Sequence, residues 1–290
     1  MDHYQIFTDV CGDLGQDMLA DLNVSVLPMA FTIGGVEYTC YPDERELTLS
    51  GFYEKLREGA TSSTSQVAIA DFIAAFSPVL EAGKDILYIG LSSGLSGTIN
   101  AAQLAAQELM EKYPGRQVVV YDSLGASLGQ GLMVWYADKM QKDGKSIAQV
   151  NQWLVDNRLQ FAHWFTVDDL QFLRRGGRLS GAAALAGTML SIKPVLHVDD
   201  AGHLIAREKV RKRKNSLLHL VDEMEKTAIN PGEQMVFISH GDSPEDAWFI
   251  REEIVHRFGT KDFYIHPIGP VIGGHSGPGT IALFFLGEHR

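Results

Sequence analysis

Cysteine is nearly absent from this chain: of 290 residues only Cys11 and Cys40 carry a thiol, and neither belongs to a CxxC pair. That excludes a disulfide framework and a thiolate zinc site, both of which need more cysteines or closer spacing. Two reduced thiols in a cytoplasmic protein is the plain expectation. No run of about 18 apolar residues occurs, so no membrane span is expected. The opening MDHYQIFTDV has neither the basic segment nor the apolar core of a signal peptide. Positive charge is also short, with 25 basic residues against 36 acidic ones and a net charge of −11. Such a surface repels phosphate backbones, so no nucleic-acid partner is expected unless a local basic patch overrides the average. The chain has no GxxxxGK[ST] and no GxGxxG, which removes the usual signatures of nucleotide binding. Its ten histidines are scattered, with no HxxxH and no acid cluster at ligand spacing. Neither a metal nor a cofactor is therefore expected.

What is present suits a globular protein with apolar material to spare. Hydrophobic residues make up 45% and charged residues 21%, and the length suggests roughly two domains. Strand-like runs at Tyr4–Thr8, Asp85–Gly90 and Gln117–Tyr121 alternate with helical patterns at 69–80, 100–113, 131–141 and 146–157. Ser146 suits the N-cap of the last of these. Val24–Phe31 reads as one apolar run, Gly34-Gly35 as a turn, and Ala60–Ser65 as a loop of small and hydroxyl residues. This alternation predicts a doubly wound α/β domain over 1–160, in which ligands bind at the carboxyl ends of strands.

Beyond residue 160 the texture changes, and 161–290 reads as a second α/β domain. Phe161–Val167 is a strand, and Asp168–Leu173 is a short helix with acids in its first turn. Ser191–Asp199 and His203–Val210 form a hairpin. A helix over 216–229 precedes a strand over 235–240, a helix over 244–258, and strands over 262–268 and 282–286. The fold class is α/β, in two domains.

Two segments could hold an anion. Thr61–Gln66 and Ser92–Thr98 combine hydroxyls with helix starts, where free backbone amides and the helix dipole favour negative charge. N-capping is the ordinary use of any one such serine, but two loops of this kind in one domain favour a ligand. Gly269–Thr280 reads as an ordered loop in which five glycines and two prolines display one histidine, His275. An imidazole can donate to a carboxylate, although a loop histidine in water is equally ordinary. Two basic segments stand out on an acidic chain: Arg174–Arg178 and Lys209–Lys214. Charge runs are usually solvated faces; the functional reading is a local positive patch for a phosphate or an acidic partner.

Taken together and in order, these segments resemble the DegV family, the fatty-acid-binding subunits of bacterial fatty acid kinase. The resemblance runs along the whole chain, through Thr8-Asp9, Thr64-Ser65-Gln66, Ser92–Thr98, Leu173–Ser180, Lys193-Pro194, Val210–Lys214 and His275–Thr280. It implies a DegV-like fold with a lipid pocket between the domains and a long-chain fatty acid as ligand. A separate ATP-binding kinase subunit would phosphorylate the carboxylate to an acyl-phosphate used in phospholipid synthesis. On that pattern Thr64, Ser93, Ser96 and His275 hold the carboxylate, with one of the two serines free to point elsewhere. Arg178, Arg211 and Lys214 face the kinase and its nucleotide phosphates. The chain itself then needs no catalytic residue, because the carboxylate is already the nucleophile, and any membrane contact is transient. Val67 stands where the family usually has Pro, and Val10 where it usually has Ser.

The energetics agree with that reading. A chain of about sixteen carbons gains roughly 0.8 kcal/mol per buried CH₂, on the order of ten kcal/mol before ordering costs. Phe31, Leu132, Met133, Met189 and Leu190 are candidate tunnel residues. The competing reading is an enzyme that uses the same Ser/Thr/His loops on a small anion; it predicts a short, polar pocket. An interaction protein whose contact surface is the basic run is the third.

Overall fold

The computed structural model describes residues 4–180 and 192–290. The first half opens with β1 (Tyr4–Asp9), closed by one 3-10 turn, and continues through α1 (Gln16–Asp21), β2 (Val24–Leu27), β3 (Met29–Ile33) and β4 (Val36–Cys40). The apolar run from Val24 is not one strand. Pro28 has no N–H to give a ladder, and it separates β2, which runs parallel to β1, from β3, which pairs antiparallel with β4. Gly34 and Gly35 make the expected turn between β3 and β4, with φ of 59° and 81°. α2 (Leu49–Arg57) buries Phe52, Tyr53 and Leu56 on one face. The segment expected as a loop contains a strand, β5 (Ser62–Thr64), paired with β3 so that Thr64 lies opposite Phe31. Three hydroxyl residues carry no apolar alternation, which is why periodicity misses this short strand.

Then come α3 (Ile69–Glu81), β6 (Asp85–Gly90), α4 (Thr98–Lys112), β7 (Val118–Asp122), α5 (Leu128–Lys142) and α6 (Ile147–Asn157), the last capped by Ser146 with Gln149 in a capping box. A four-stranded parallel sheet runs in the order β2-β1-β6-β7. Its direction of winding reverses between β1 and β6, the place where such sheets open a crevice at their strand ends. Buried Asp9 ties the two strand ends together, accepting from Tyr88 Oη at 2.5 Å, Leu91 N at 3.2 Å and Cys11 N at 3.0 Å.

At residues 158–160 the chain crosses to a seven-stranded mixed sheet, and we propose that the two domains divide there. Its elements are β8 (Phe161–Thr166), α7 (Gln171–Arg175), β9 (Leu179–Ser180), β10 (Ile192–Val198), β11 (Leu204–Arg211), α8 (Arg213–Thr227), β12 (Val236–His240), α9 (Pro244–Phe258), β13 (Phe263–Pro267), α10 (Pro270–Ser276) and β14 (Ile281–Leu286). The strand order is β13-β12-β14-β8-β10-β11-β9. Two local expectations change. α7 begins at Gln171, so Asp168 and Asp169 precede it: Asp169 Oδ1 accepts from Gln171 N at 2.8 Å, and Asp168 pairs with Lys193 at 2.9 Å. The glycine-rich segment around His275 is not a loop but α10, started by Pro270, whose fixed φ suits a first helical position. Its glycines serve close packing. A Cβ on Gly273 would stand 2.6 Å from Tyr53 Oη, and one on Gly274 would stand 2.6 Å from Ser62 Oγ.

α5 is the shared layer. It packs against β1 and β6 on one side and against β8, β12 and β14 on the other. Leu132 and Met133 on this helix are fully buried, and Phe31 is also buried. All three belong to the core and do not line the cavity described below, contrary to the expectation that they shape a tunnel. Met189 and Leu190 lie outside the described residues. No described helix is long and apolar enough to cross a membrane.

Candidate functional site

A cavity of about 270 Å³ opens between β5, the loop that follows β6, α10, and the face of the seven-stranded sheet formed by β8 and β14. Its position follows from the winding reversal between β1 and β6, which leaves the loop after β6 facing the other half of the chain.

Thr64 and His275 meet at the polar end. Thr64 Oγ1 and His275 Nε2 are hydrogen-bonded at 2.9 Å. β5 delivers the threonine and the last turn of α10 delivers the imidazole. Gly176 lets the ring lie flat against the turn after α7, since a Cβ there would stand 2.3 Å from His275 Nδ1. Burial, assisted by the charge of Arg178, lowers the His275 pKa to about 4. The ring is therefore neutral at pH 7, with one N–H to donate and one lone pair to offer.

Arg178 lines the same cavity. Its Nε donates to Leu95 O at 3.2 Å and its Nη1 to Gly176 O at 2.6 Å. The guanidinium thus joins the loop after β6 to the glycine turn and brings a positive charge to the polar end. That differs from the expectation that grouped Arg178 with a partner-facing surface. Arg211, at the end of β11, and Lys214, in the first turn of α8, are both exposed and lie outside the cavity lining. Lys214 Nζ sits 5.2 Å from the centroid of the Phe249 ring. Arg213 between them is committed to structure, bonding Asp246 at 2.8 Å and Gly279 O at 2.6 Å.

The two serines part company. Ser96 lines the cavity, but its hydroxyl also serves the start of α4, accepting from Thr98 N at 3.3 Å and pairing with Thr98 Oγ1 at 2.9 Å. Ser93 is exposed and is not among the lining residues; its amide donates to Asp122 Oδ1 at 3.2 Å. Its buried neighbour Ser92 is used structurally, donating to Gly202 O at 2.9 Å. Three of the four residues expected at the carboxylate, Thr64, Ser96 and His275, therefore share one cavity, and Ser93 does not. The two departures from the family pattern leave the polar end intact: Val67 and Val10 are buried among core residues and line no part of the cavity.

Beyond this end the walls are mostly apolar. Met29, Leu95, Phe165, Leu173, Val271 and Ile272 contribute, with Ala282 and Phe284 behind them. An apolar space with convergent donors at one end can bury a long hydrocarbon and satisfy one anionic head. Sequence reading missed His163, Ser127 and Ser276, which also line the cavity. His163 lies in a run that reads as an ordinary buried strand. Nothing local marks it, because the cavity wall is assembled by pairing β8 with β14, distant in sequence. Among the described residues no group of His, Cys, Asp or Glu could hold a metal ion.

Residues 3–288 match the family model described as an uncharacterised protein of the DegV family. A DegV domain-containing protein of Clostridium perfringens (strain 13 / Type A) is 47% identical over 290 residues, covering 100% of this chain and 99% of that one. Among solved structures, a DegV family protein from Thermus thermophilus, described for its fatty acid binding, is 32% identical with a TM-score of 0.86, covering 97% of this chain and 98% of that one. Bacillus subtilis DegV, described as a fatty acid binding protein, is 27% identical with a TM-score of 0.86, covering 99% and 100%.

Proposed function

The chain belongs to the DegV family, and from that premise we propose that it is a fatty-acid-binding protein that presents the lipid carboxylate to a separate kinase. The observation that carries the reading is one cavity with Thr64, Ser96, Arg178 and His275 gathered at one end and mostly apolar walls elsewhere. A carboxylate offers only acceptors, and this end offers hydroxyls, an imidazole and a guanidinium. Fatty acid binding in the Thermus thermophilus and Bacillus subtilis relatives supports the same ligand here. The walls disfavour the small-anion enzyme, which would leave most of the apolar space unused.

The chain acts as a carrier and not as the kinase. The bound carboxylate attacks the γ-phosphorus of ATP held by the partner, the bond to the β–γ bridging oxygen breaks, and acyl-phosphate and ADP result. Exposed Arg211 and Lys214 supply positive charge for the partner's acidic surface or its nucleotide phosphates.

Organic-solvent extraction of the purified protein followed by mass spectrometry tests the ligand. A long-chain fatty acid in near-stoichiometric amount is expected. A polar metabolite, with no lipid and no uptake of added fatty acid, would contradict the reading.

A further inference from the structure

His163 is the one cavity-lining histidine away from the polar end, and its setting is unusual. It is 1% exposed, and neither ring nitrogen has a hydrogen-bond partner among the described residues. A buried polar group left unpaired costs stability, so the position calls for an explanation. The surroundings are shaped to the ring. A Cβ on Gly125 would stand 2.3 Å from His163 Cε1, and one on Gly129 would stand 2.5 Å from the same atom. Phe284 packs edge-on at 5.4 Å between centroids. Ser127 and Thr280 on the wall are already engaged: Ser127 Oγ bonds Asp13 and Ser239, and Thr280 Oγ1 donates to Gly277 O and Ser276 O. Ser276 Oγ, next to His275 in the chain, also has no partner among the described residues.

The register places His163 well along the cavity. It lies opposite Phe284 on β14, whereas Thr280, just before that strand, bonds the last turn of α10. Four residues at about 3.3 Å each put His163 roughly 13 Å from the His275 end. Resting on the lipid reading above, we propose that His163 forms a second polar subsite in the tail cavity, one that takes a hydroxyl carried part-way along the acyl chain. A neutral imidazole has one donor and one acceptor, and a hydroxyl is likewise both, so one group can satisfy both partners. Burial, together with the positive charge of Arg290, pushes the His163 pKa well below the usual range and keeps the ring neutral. A wholly apolar tunnel would instead reject a hydroxyl.

The test is competitive binding of stearate and of hydroxystearates with the hydroxyl at successive chain positions. Wild type, His163→Phe and His163→Gln are compared. In wild type at least one mid-chain isomer is expected to bind as tightly as stearate or more tightly. In His163→Phe the favoured isomer should lose about tenfold or more relative to that variant's own stearate affinity. His163→Gln, which retains a donor and an acceptor, should recover part of that loss. Retained stearate binding shows that a variant is folded. If a variant fails that control, the wild-type positional scan decides alone, and a scan with every hydroxyl isomer weaker than stearate overturns the proposal. An equal penalty on all isomers in wild type and His163→Phe overturns it too, while leaving the lipid-carrier reading intact. Failure of wild type to bind stearate at all would remove both.

Discussion

Thr64 and His275 are 211 positions apart in the chain, and their side chains are joined by a 2.9 Å hydrogen bond at the polar end of one cavity. β5 and α10 converge there because the glycines of α10 allow the helix to touch Tyr53 and Ser62. Thr64→Val and His275→Gln should each weaken fatty-acid affinity about tenfold, since a hydrogen bond to a charged group contributes about 1.5–3 kcal/mol. The double variant should lose less than the product of the two, because the residues act on one carboxylate and on each other. Fluorescent fatty-acid displacement measures this; independent, fully additive losses would separate the two residues.

The basic residues divide by location. Arg178→Ala should weaken fatty-acid binding by at least tenfold, because it removes the charge at the cavity and the two carbonyl contacts that join its walls. Arg211→Ala combined with Lys214→Ala should leave binding and Tm nearly unchanged, as exposed charges contribute about 0–1 kcal/mol to stability. The double variant should still lower phosphorylation of the bound lipid by a cognate kinase. A reconstituted kinase assay beside a lipid-binding assay distinguishes the two classes. Unchanged phosphorylation would return the basic run to an ordinary solvated surface.

Gly176→Ala should mimic loss of His275. The added methyl has no room beside Nδ1, so the ring must turn away from Thr64. Fatty-acid affinity should fall by about tenfold, in line with loss of one such hydrogen bond. The measurement is the same displacement assay with circular dichroism as a control for folding.

Asp13 gives a pH dependence of definite sign. Burial raises its pKa from 3.8 to about 8, against the opposing hydrogen bonds from Ser127 and Gly269 N. Between those values the native state holds a proton that the unfolded chain releases, so this group's contribution makes stability fall as pH rises from about 4 to about 8. Asp13→Asn keeps a side chain that tolerates the native φ of 48°. It should stabilise the protein at pH 8 on the order of 2 kcal/mol and flatten that slope. Urea denaturation across the pH range reads both effects.

Much of this architecture was legible in the sequence for identifiable reasons. Strands β1, β6 and β7 announce themselves as apolar runs closed by Asp or Gly, and α9 begins and ends where Pro244 and Gly259 say it should. The motifs carrying the family resemblance located Thr64, Ser96 and His275. What stayed hidden depends on tertiary pairing. β5 is three hydroxyl residues held by β3, and α10 contains glycines that lower helix propensity in isolation. Ser93 and Ser96 differ only by which side of the loop after β6 they occupy. Arg178 reads as a surface charge until the turn after α7 is folded against Leu95.

The most direct test of the carboxylate site is nuclear magnetic resonance of bound oleate labelled with carbon-13 at the carboxyl group, titrated with pH. The account predicts one bound resonance whose pKa lies below that of an ordinary carboxylate because Arg178 and the surrounding donors favour the charged form. It should move toward the ordinary value in Arg178→Ala, and its shift should change in Thr64→Val and His275→Gln. A bound carboxyl that titrates as it does in water, and is the same in all three variants, would place the head group elsewhere and contradict the site.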